Sequence, residues 1–162
     1  MSEWNRSTTE LPFEKIRPEI AAAIQKHIET YNLGAILDDY QICIETVSDK
    51  KKKGLFGLGG NRQTIQVVIL TPEWLVIGSR GDKPESSAAL SVMLKDAVVE
   101  DYADSPAYKL LPDNGLHVSG NFTGRVGRHG FQRVTTFITL GEGRVAREFK
   151  ELLSQAIQKT RK

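Results

Sequence analysis

The 162 residues of the chain are enough for one compact domain with a hydrophobic core. Hydrophobic residues make up 40% and charged residues 26%, which is ordinary for a globular protein, and a formal charge of +2 excludes a polycation. The single cysteine, Cys43, excludes an internal disulfide and indicates a reducing compartment. The N-terminus lacks a signal-peptide pattern, and no apolar run approaches the ~20 residues that span a bilayer. These features predict a cytoplasmic protein whose contact with membranes, if it makes any, is peripheral.

The first predicted element is an amphipathic helix. Apolar residues recur every three or four positions through residues 13–31, and Pro18 suits the first turn of such a helix. Gly34 suits the left-handed position that often ends a helix. We therefore predict an N-terminal helical extension over residues 1–34 and a second unit over residues 35–162.

Beyond Gly34 the apolar period changes to two, which indicates strands. Turns rich in glycine, proline and small polar residues separate the apolar runs. Seven short strands are predicted, at residues 39–47, 62–70, 71–79, 89–94, 96–102, 115–122 and 132–140. The first of them alternates apolar with polar residues, so it is predicted to be buried on one face and exposed on the other.

A second amphipathic helix follows Gly141. Its apolar side consists of Val145, Phe149, Leu152, Leu153, Ala156 and Ile157. A strongly bent antiparallel sheet leaves an open end lined with apolar side chains, which a helix of this kind can cover. The expected fold is α+β and mainly β: a bent antiparallel barrel of about seven strands with a C-terminal capping helix and an extra N-terminal helix.

The order and spacing of these elements resemble the pleckstrin-homology-like barrel, in its bacterial, GRAM-like branch. The resemblance covers residues from about 38 to 159. Its carriers are ILTPEWLVIGSR, MLKDAVVEDY and TTFITLGEGRVAREFKELLSQAI. In that family the loops after the first, third and sixth strands project from one rim, so the resemblance implies that the corresponding loops of this chain lie together.

Positive charge is concentrated in two segments of the chain. Residues 49–62 hold five basic residues and one acidic residue, and residues 114–141 hold three arginines and no acid, so the remainder is net acidic. We predict an anion-binding or lipid-binding surface made of Lys50, Lys51, Lys52, Lys53, Arg62, Arg125 and Arg128. The first segment also carries three apolar residues among glycines, the apolar tip Leu55, Phe56 and Leu58.

The resemblance also bears on the ligand of this surface. Eukaryotic pleckstrin-homology domains bind phosphoinositides through a lysine, a spacer and then a basic-x-Arg pattern at the first rim loop. Lys53 and Arg62 occupy similar positions in this chain, but Gly60 stands where the second basic residue would be. The departure favours general attraction to anionic surfaces over recognition of one inositol phosphate.

The expected function is a non-catalytic binding module that makes protein contacts or self-associates through its barrel and rim loops. One alternative is weak peripheral binding of an anionic membrane through residues 50–62. A second is binding of single-stranded nucleic acid between Phe122 and Phe131, which the low net charge disfavours. A third is an enzyme on a helix-grip fold around a ligand cavity.

No catalytic residue, metal ligand or small-molecule cofactor is predicted. The glycine-rich loops join strand to strand, whereas phosphate-binding loops lead from a strand into a helix. His117 and His129 lack a second ligand at metal-binding spacing. Cys43 has no base nearby in sequence and is expected to be an inert thiol.

Overall fold

In the computed structural model, residues 3–50, 62–124 and 131–162 are described. Within these ranges the chain forms eight strands and two α-helices, joined by short 3-10 turns. In chain order they are β1 (Trp4–Glu10), α1 (Pro18–Thr30), β2 (Ile42–Lys50), β3 (Gln63–Leu70), β4 (Trp74–Arg80), β5 (Ala88–Met93), β6 (Val98–Asp101), β7 (Gly115–Thr123), β8 (Phe131–Thr139) and α2 (Arg144–Thr160).

The strands form one antiparallel sheet in the order β1-β2-β3-β4-β5-β7-β6, with β8 paired to β7 along its whole length. Strands β2 to β8 curl into a half-barrel, and β1 extends the sheet beyond β2. Ser91 of β5 pairs with Thr123, and Val98 of β6 pairs with Ser119, so β5 and β6 lie end to end beside β7. The predicted mainly β fold, bent antiparallel sheet and C-terminal helix are confirmed.

Strand β1 was not predicted from the sequence. It pairs with β2 from Trp4 opposite Lys50 to Glu10 opposite Ile44. Its sequence, WNRSTTE, is polar because it lies at the edge of the sheet and has no continuous apolar side. The segment 1–34, predicted as a helical extension, therefore supplies an edge strand to the sheet as well as a helix.

The inner face of the half-barrel holds the larger hydrophobic core, which α2 covers. Phe149 and Leu153 of α2 are fully buried there, and Val145 and Leu152 are partly buried beside them, as predicted. The strands contribute residues that include Ile42, Ile44, Val68, Leu70, Leu75, Leu116, Val118, Phe122 and Ile138. Near the end of the helix, the Arg161 guanidinium donates a hydrogen bond to the carbonyl of Ala97 at 2.7 Å.

A second core lies on the outer face of the sheet, under α1. Its buried members are Ile16, Ile20, Ile24, Cys43, Ile65, Val67, Ile69 and Val76. Polar contacts tie α1 to the strands: Glu19 pairs with Arg80, and Arg17 lies 3.4 Å from the carboxylate of Glu45. Strand β2 is consequently buried on both faces, and the prediction that one face is exposed was wrong.

Side-chain hydrogen bonds connect β8 to strands on the other side of the curled sheet. The side-chain amide of Gln66 on β3 donates to the carbonyl of Phe137 at 3.1 Å, and its oxygen accepts from the Thr139 amide at 2.8 Å. The amide of Gly141 donates to the Thr8 hydroxyl of β1 at 2.8 Å. These contacts connect β8 and the residues after it to β3 and β1, with which β8 does not pair as a strand.

Candidate functional site

Three hairpin connections leave the sheet at one end, here named the loop end. They comprise residues 51–62 between β2 and β3, residues 81–87 between β4 and β5, and residues 124–130 between β7 and β8. In an antiparallel sheet with this strand order, the ends of β2, β4 and β7 lie beside the starts of β3, β5 and β8. Both basic segments of the sequence are therefore attached at the loop end.

Contacts between neighbouring hairpins bring the bases of these connections together. The backbone amide of Gln63 donates to the Asp82 carboxylate at 2.9 Å, which links the first connection to the second. Gly124, at the start of the third, lies so close to β5 that an added Cβ would come within 2.8 Å of the Ala89 carbonyl oxygen. The loop end is thus one continuous surface at the level of the strand ends.

Two of the predicted site residues lie in the described part of the chain. Lys50 ends β2 opposite Trp4, and Arg62 is exposed immediately before β3. The amide of Lys50 donates to the carbonyl of Arg62 at 2.9 Å, which closes the base of the first hairpin. The remaining predicted residues lie outside the described ranges; they are Lys51, Lys52, Lys53, Leu55, Phe56, Leu58, Arg125 and Arg128.

The charge at the loop end is positive on balance. The two segments outside the described ranges, 51–61 and 125–130, carry five lysines and arginines and no acid. Of the acids at the loop end, Asp49 and Asp82 each accept a hydrogen bond from Gln63. Cations are attached to this surface from two segments that are distant in sequence, which raises the local positive potential.

A second exposed feature was missed in the sequence, the knob formed by Leu110 and Leu111. Their side chains are 84% and 67% exposed, which is unusual for adjacent leucines in a folded segment. The Tyr102 hydroxyl donates to the carbonyl of Leu111 at 2.7 Å, and both leucine amides donate to the carbonyl of Ala107. The sequence feature that could have indicated this knob is the pair of adjacent leucines in the loop between Pro106 and Pro112.

The base of the knob is anchored to β1 by a buried arginine. Arg6 pairs with Asp113, donates to the Ser48 hydroxyl at 3.0 Å and lies over the rings of Trp4 and Phe137. Burial lowers the pKa of the Arg6 guanidinium to about 10, so it stays charged at neutral pH. This arginine therefore fixes the position of the knob relative to the sheet.

A cleft of about 270 Å³ lies between the knob and α2. Three of its charged side chains form ion pairs: Lys150 donates to Asp101 at 2.9 Å, and Asp113 pairs with Arg6. Glu142 also lines the cleft. The Lys150 ammonium lowers the pKa of Asp101 against the opposing effect of burial. The cleft is consequently held by internal ion pairs.

Two of the reactive residues considered in the sequence, Cys43 and His117, lie in the described ranges, and both pack against other side chains of the fold. Burial, with Glu45, Glu14 and Glu10 nearby, raises the pKa of the Cys43 thiol to about 12, which keeps it protonated. His117 lies edge-on to the rings of Tyr102 and Phe137 at 5.2 and 5.5 Å, and His129 lies outside the described ranges. Across residues 3–50, 62–124 and 131–162, no group of three acidic, histidine or cysteine side chains could hold a metal ion.

In the described part of the chain, no helix has the length and apolar character needed to cross a membrane. No family model, curated protein or solved structure matches the chain.

Proposed function

We propose that the chain is a non-catalytic binding module that docks its loop end on an anionic surface, with a phospholipid membrane as the leading candidate. The observation that carries the proposal is the attachment of both basic segments at one end of the sheet. The contacts of Gln63 with Asp82 and of Gly124 with Ala89 support a single contact surface there. Cations from both segments would then act on the same partner.

We also propose that the half-barrel is a member of the pleckstrin-homology-like architecture. Seven curled antiparallel strands followed directly by a covering helix support this assignment. The edge strand β1 and the helix α1 on the outer face would be additions to that architecture. The resemblance implies binding at the rim loops, which correspond to the three connections at the loop end.

The energetics favour weak and reversible docking. Each basic residue close to an anionic membrane contributes about 1 kcal/mol. Complete burial of a leucine or phenylalanine side chain contributes roughly 1.5–3 kcal/mol, and partial insertion contributes less. Any backbone freedom that residues 50–62 lose on docking opposes these terms. The favourable contributions of the cations and the apolar residues amount to several kcal/mol before any such cost, and the electrostatic part depends strongly on salt.

A membrane accounts for the composition of residues 49–62 better than a nucleic acid does. Phe122, one of the two aromatic residues proposed for base stacking, is fully buried in the inner core. The apolar tip lies among lysines in sequence, and interfacial anchors commonly combine apolar side chains with cations. Single-stranded nucleic acid is accordingly the weaker proposal.

Self-association is a second candidate function, and the Leu110–Leu111 knob is the observation that favours it. A rigidly held apolar pair is a common feature of protein contacts. Asp104 and Lys109 are both exposed near the leucines. A two-fold contact brings the same surface from two copies together, so flanking charges of both signs can pair across it.

Wild-type protein is expected to co-sediment with anionic vesicles at about 50 mM salt and to ignore zwitterionic ones, because the attraction is electrostatic. Phe56→Asp should weaken binding at every salt concentration, since it removes an apolar insertion and adds repulsion. Leu110→Asp is the matched control, with the same charge change at the knob, and should bind as wild type does. If wild type fails to bind anionic vesicles at this salt, the membrane proposal is wrong.

Leu110→Asp is expected to abolish any concentration-dependent dimerisation seen by sedimentation velocity. At a two-fold apolar contact, the new aspartate would be buried close to the same aspartate of the second copy. The two carboxylates would repel each other and lose their hydration. Phe56→Asp serves as the converse control and should leave dimerisation unchanged. Dimerisation that persists in Leu110→Asp but disappears in Phe56→Asp would assign self-association to the loop end instead.

A further inference from the structure

His27 occupies a buried junction between α1 and the sheet. It lies in the last turn of α1 with 5% of its surface exposed. Its Nε2 atom is 2.8 Å from the hydroxyl of Ser91 on β5, and Ser91 is fully buried. The ring of Tyr31, one turn further along the helix, lies 4.8 Å from the imidazole centroid.

The same imidazole touches the residue at which the β7–β8 connection begins. Gly124 has a φ of +101°, and an added Cβ would lie 2.6 Å from Cε1 and 2.8 Å from Nδ1 of His27. A side chain at this position would collide with the ring and with the backbone of β5. His27 therefore packs directly against the base of the connection that carries Arg125 and Arg128.

The surroundings of His27 favour the neutral ring. The groups that face it are the Tyr31 phenol from α1, the Ser91 hydroxyl from β5 and the backbone at Gly124 beyond β7. None of these described groups is a carboxylate or a cationic side chain. Burial lowers the pKa of the His27 imidazole. A proton on this ring would create a buried charge, and none of the contacts to the ring in the described ranges comes from a carboxylate that could balance it.

We propose that His27 is a protonation-sensitive latch that holds the end of α1 and the base of the β7–β8 connection against β5. The neutral ring accepts or donates one hydrogen bond at Ser91 and fills the space beside Gly124. The protonated ring needs solvent or an acceptor for its second N–H, so it leaves this junction and loosens both contacts. The latch concerns the fold itself and does not depend on what the loop end binds.

The direction of the pH effect follows from the difference between the two states. With the latch open, the ring takes a proton at its ordinary pKa near 6.5, whereas the closed latch resists protonation. The contact is fully stabilised above about pH 6.5 and weakens as the pH falls towards the lowered pKa of the closed state. One proton per opening event changes the opening equilibrium by at most about tenfold per pH unit in this window.

Hydrogen exchange read by mass spectrometry tests the latch on the full chain. After correction for the intrinsic rate, amides in residues 24–31 and 120–124 are expected to lose protection between about pH 7.5 and about pH 5. His27→Gln keeps a hydrogen-bonding side chain that does not titrate, so its protection should not change over this range. His117→Gln is the matched control, and it should retain the pH dependence of wild type.

Two results of the exchange experiment would overturn the proposal: protection in wild type that is equal at both pH values, or an unchanged pH dependence in His27→Gln. Nuclear magnetic resonance titration of the His27 ring in wild type covers the case in which the variant does not fold. A ring that titrates at the ordinary value near 6.5 would also contradict the latch. A lowered pKa, with chemical-shift changes at Ser91 and Gly124 during the titration, is the expected result.

Discussion

Phe149→Ala is expected to lower the free energy of unfolding by about 3–5 kcal/mol, the range typical of a fully buried phenylalanine. The ring has no exposed surface and lies in the inner core between α2 and the strands. Its removal leaves a cavity at the point where the helix covers the open end of the half-barrel. Chemical denaturation followed by circular dichroism measures the change.

The control for this substitution lies on the same helix. Ser154 is exposed on the outer side of α2, so Ser154→Ala should change stability by less than about 0.5 kcal/mol. A loss of under about 1 kcal/mol in Phe149→Ala would mean that α2 is not an integral part of the core. A loss of about 3–5 kcal/mol in the free energy of unfolding, with a single transition as steep as that of wild type, would show that helix and sheet unfold as one unit.

The strands and α2 could be predicted because their apolar spacing reports directly on burial. Strands β2 to β8 were recognisable from short apolar or alternating runs bounded by turn residues, and α2 from an apolar side that includes Phe149 and Leu153. In α2 each of these residues faces a single core, so the pattern along the sequence matches the pattern of contacts. Local periodicity is sufficient where an element has one buried face.

The sequence was misleading where a second layer covers an element. Cys43 and Glu45 alternate with Ile42 and Ile44, which indicated a solvent-facing side of β2. Helix α1 covers that side, and Glu45 is tolerated there because Arg17 lies 3.4 Å away. The position of a helix over a sheet depends on contacts distant in sequence, so alternation within one strand could not reveal it.

The candidate site was partly predictable for a similar reason. The resemblance implied that the basic segments lie together, and the strand order attaches both of them at the loop end. The Leu110–Leu111 knob was missed because exposure of an apolar pair depends on the loop geometry fixed by Tyr102. The surroundings of His27 could not be read from the sequence, because Ser91 and Gly124, which contact its ring, are distant from it along the chain.

Replacement of Lys50, Lys51, Lys52 and Lys53 by glutamine is expected to reduce affinity for anionic vesicles by about a thousandfold at low salt. Four cations near such a surface contribute about 1 kcal/mol each, and each 1.4 kcal/mol corresponds to about tenfold in affinity. The difference from wild type should shrink as salt shortens the Debye length from about 10 Å at 0.1 M to about 3 Å at 1 M. Vesicle co-sedimentation over this range of salt measures both effects.

A matched variant separates the position of the charge from its amount. Lys15, Lys95, Lys109 and Lys159 are exposed and lie away from the loop end, so their replacement by glutamine changes the net charge equally. Binding at the loop end predicts nearly wild-type affinity for this second variant. An equal loss in both variants would mean that vesicles respond to total charge, and the loop end would then have no special role. If only the first variant loses affinity for the vesicles, the cations must act from one surface. Long-range attraction to the total charge would weaken equally in both variants, because each loses four lysines.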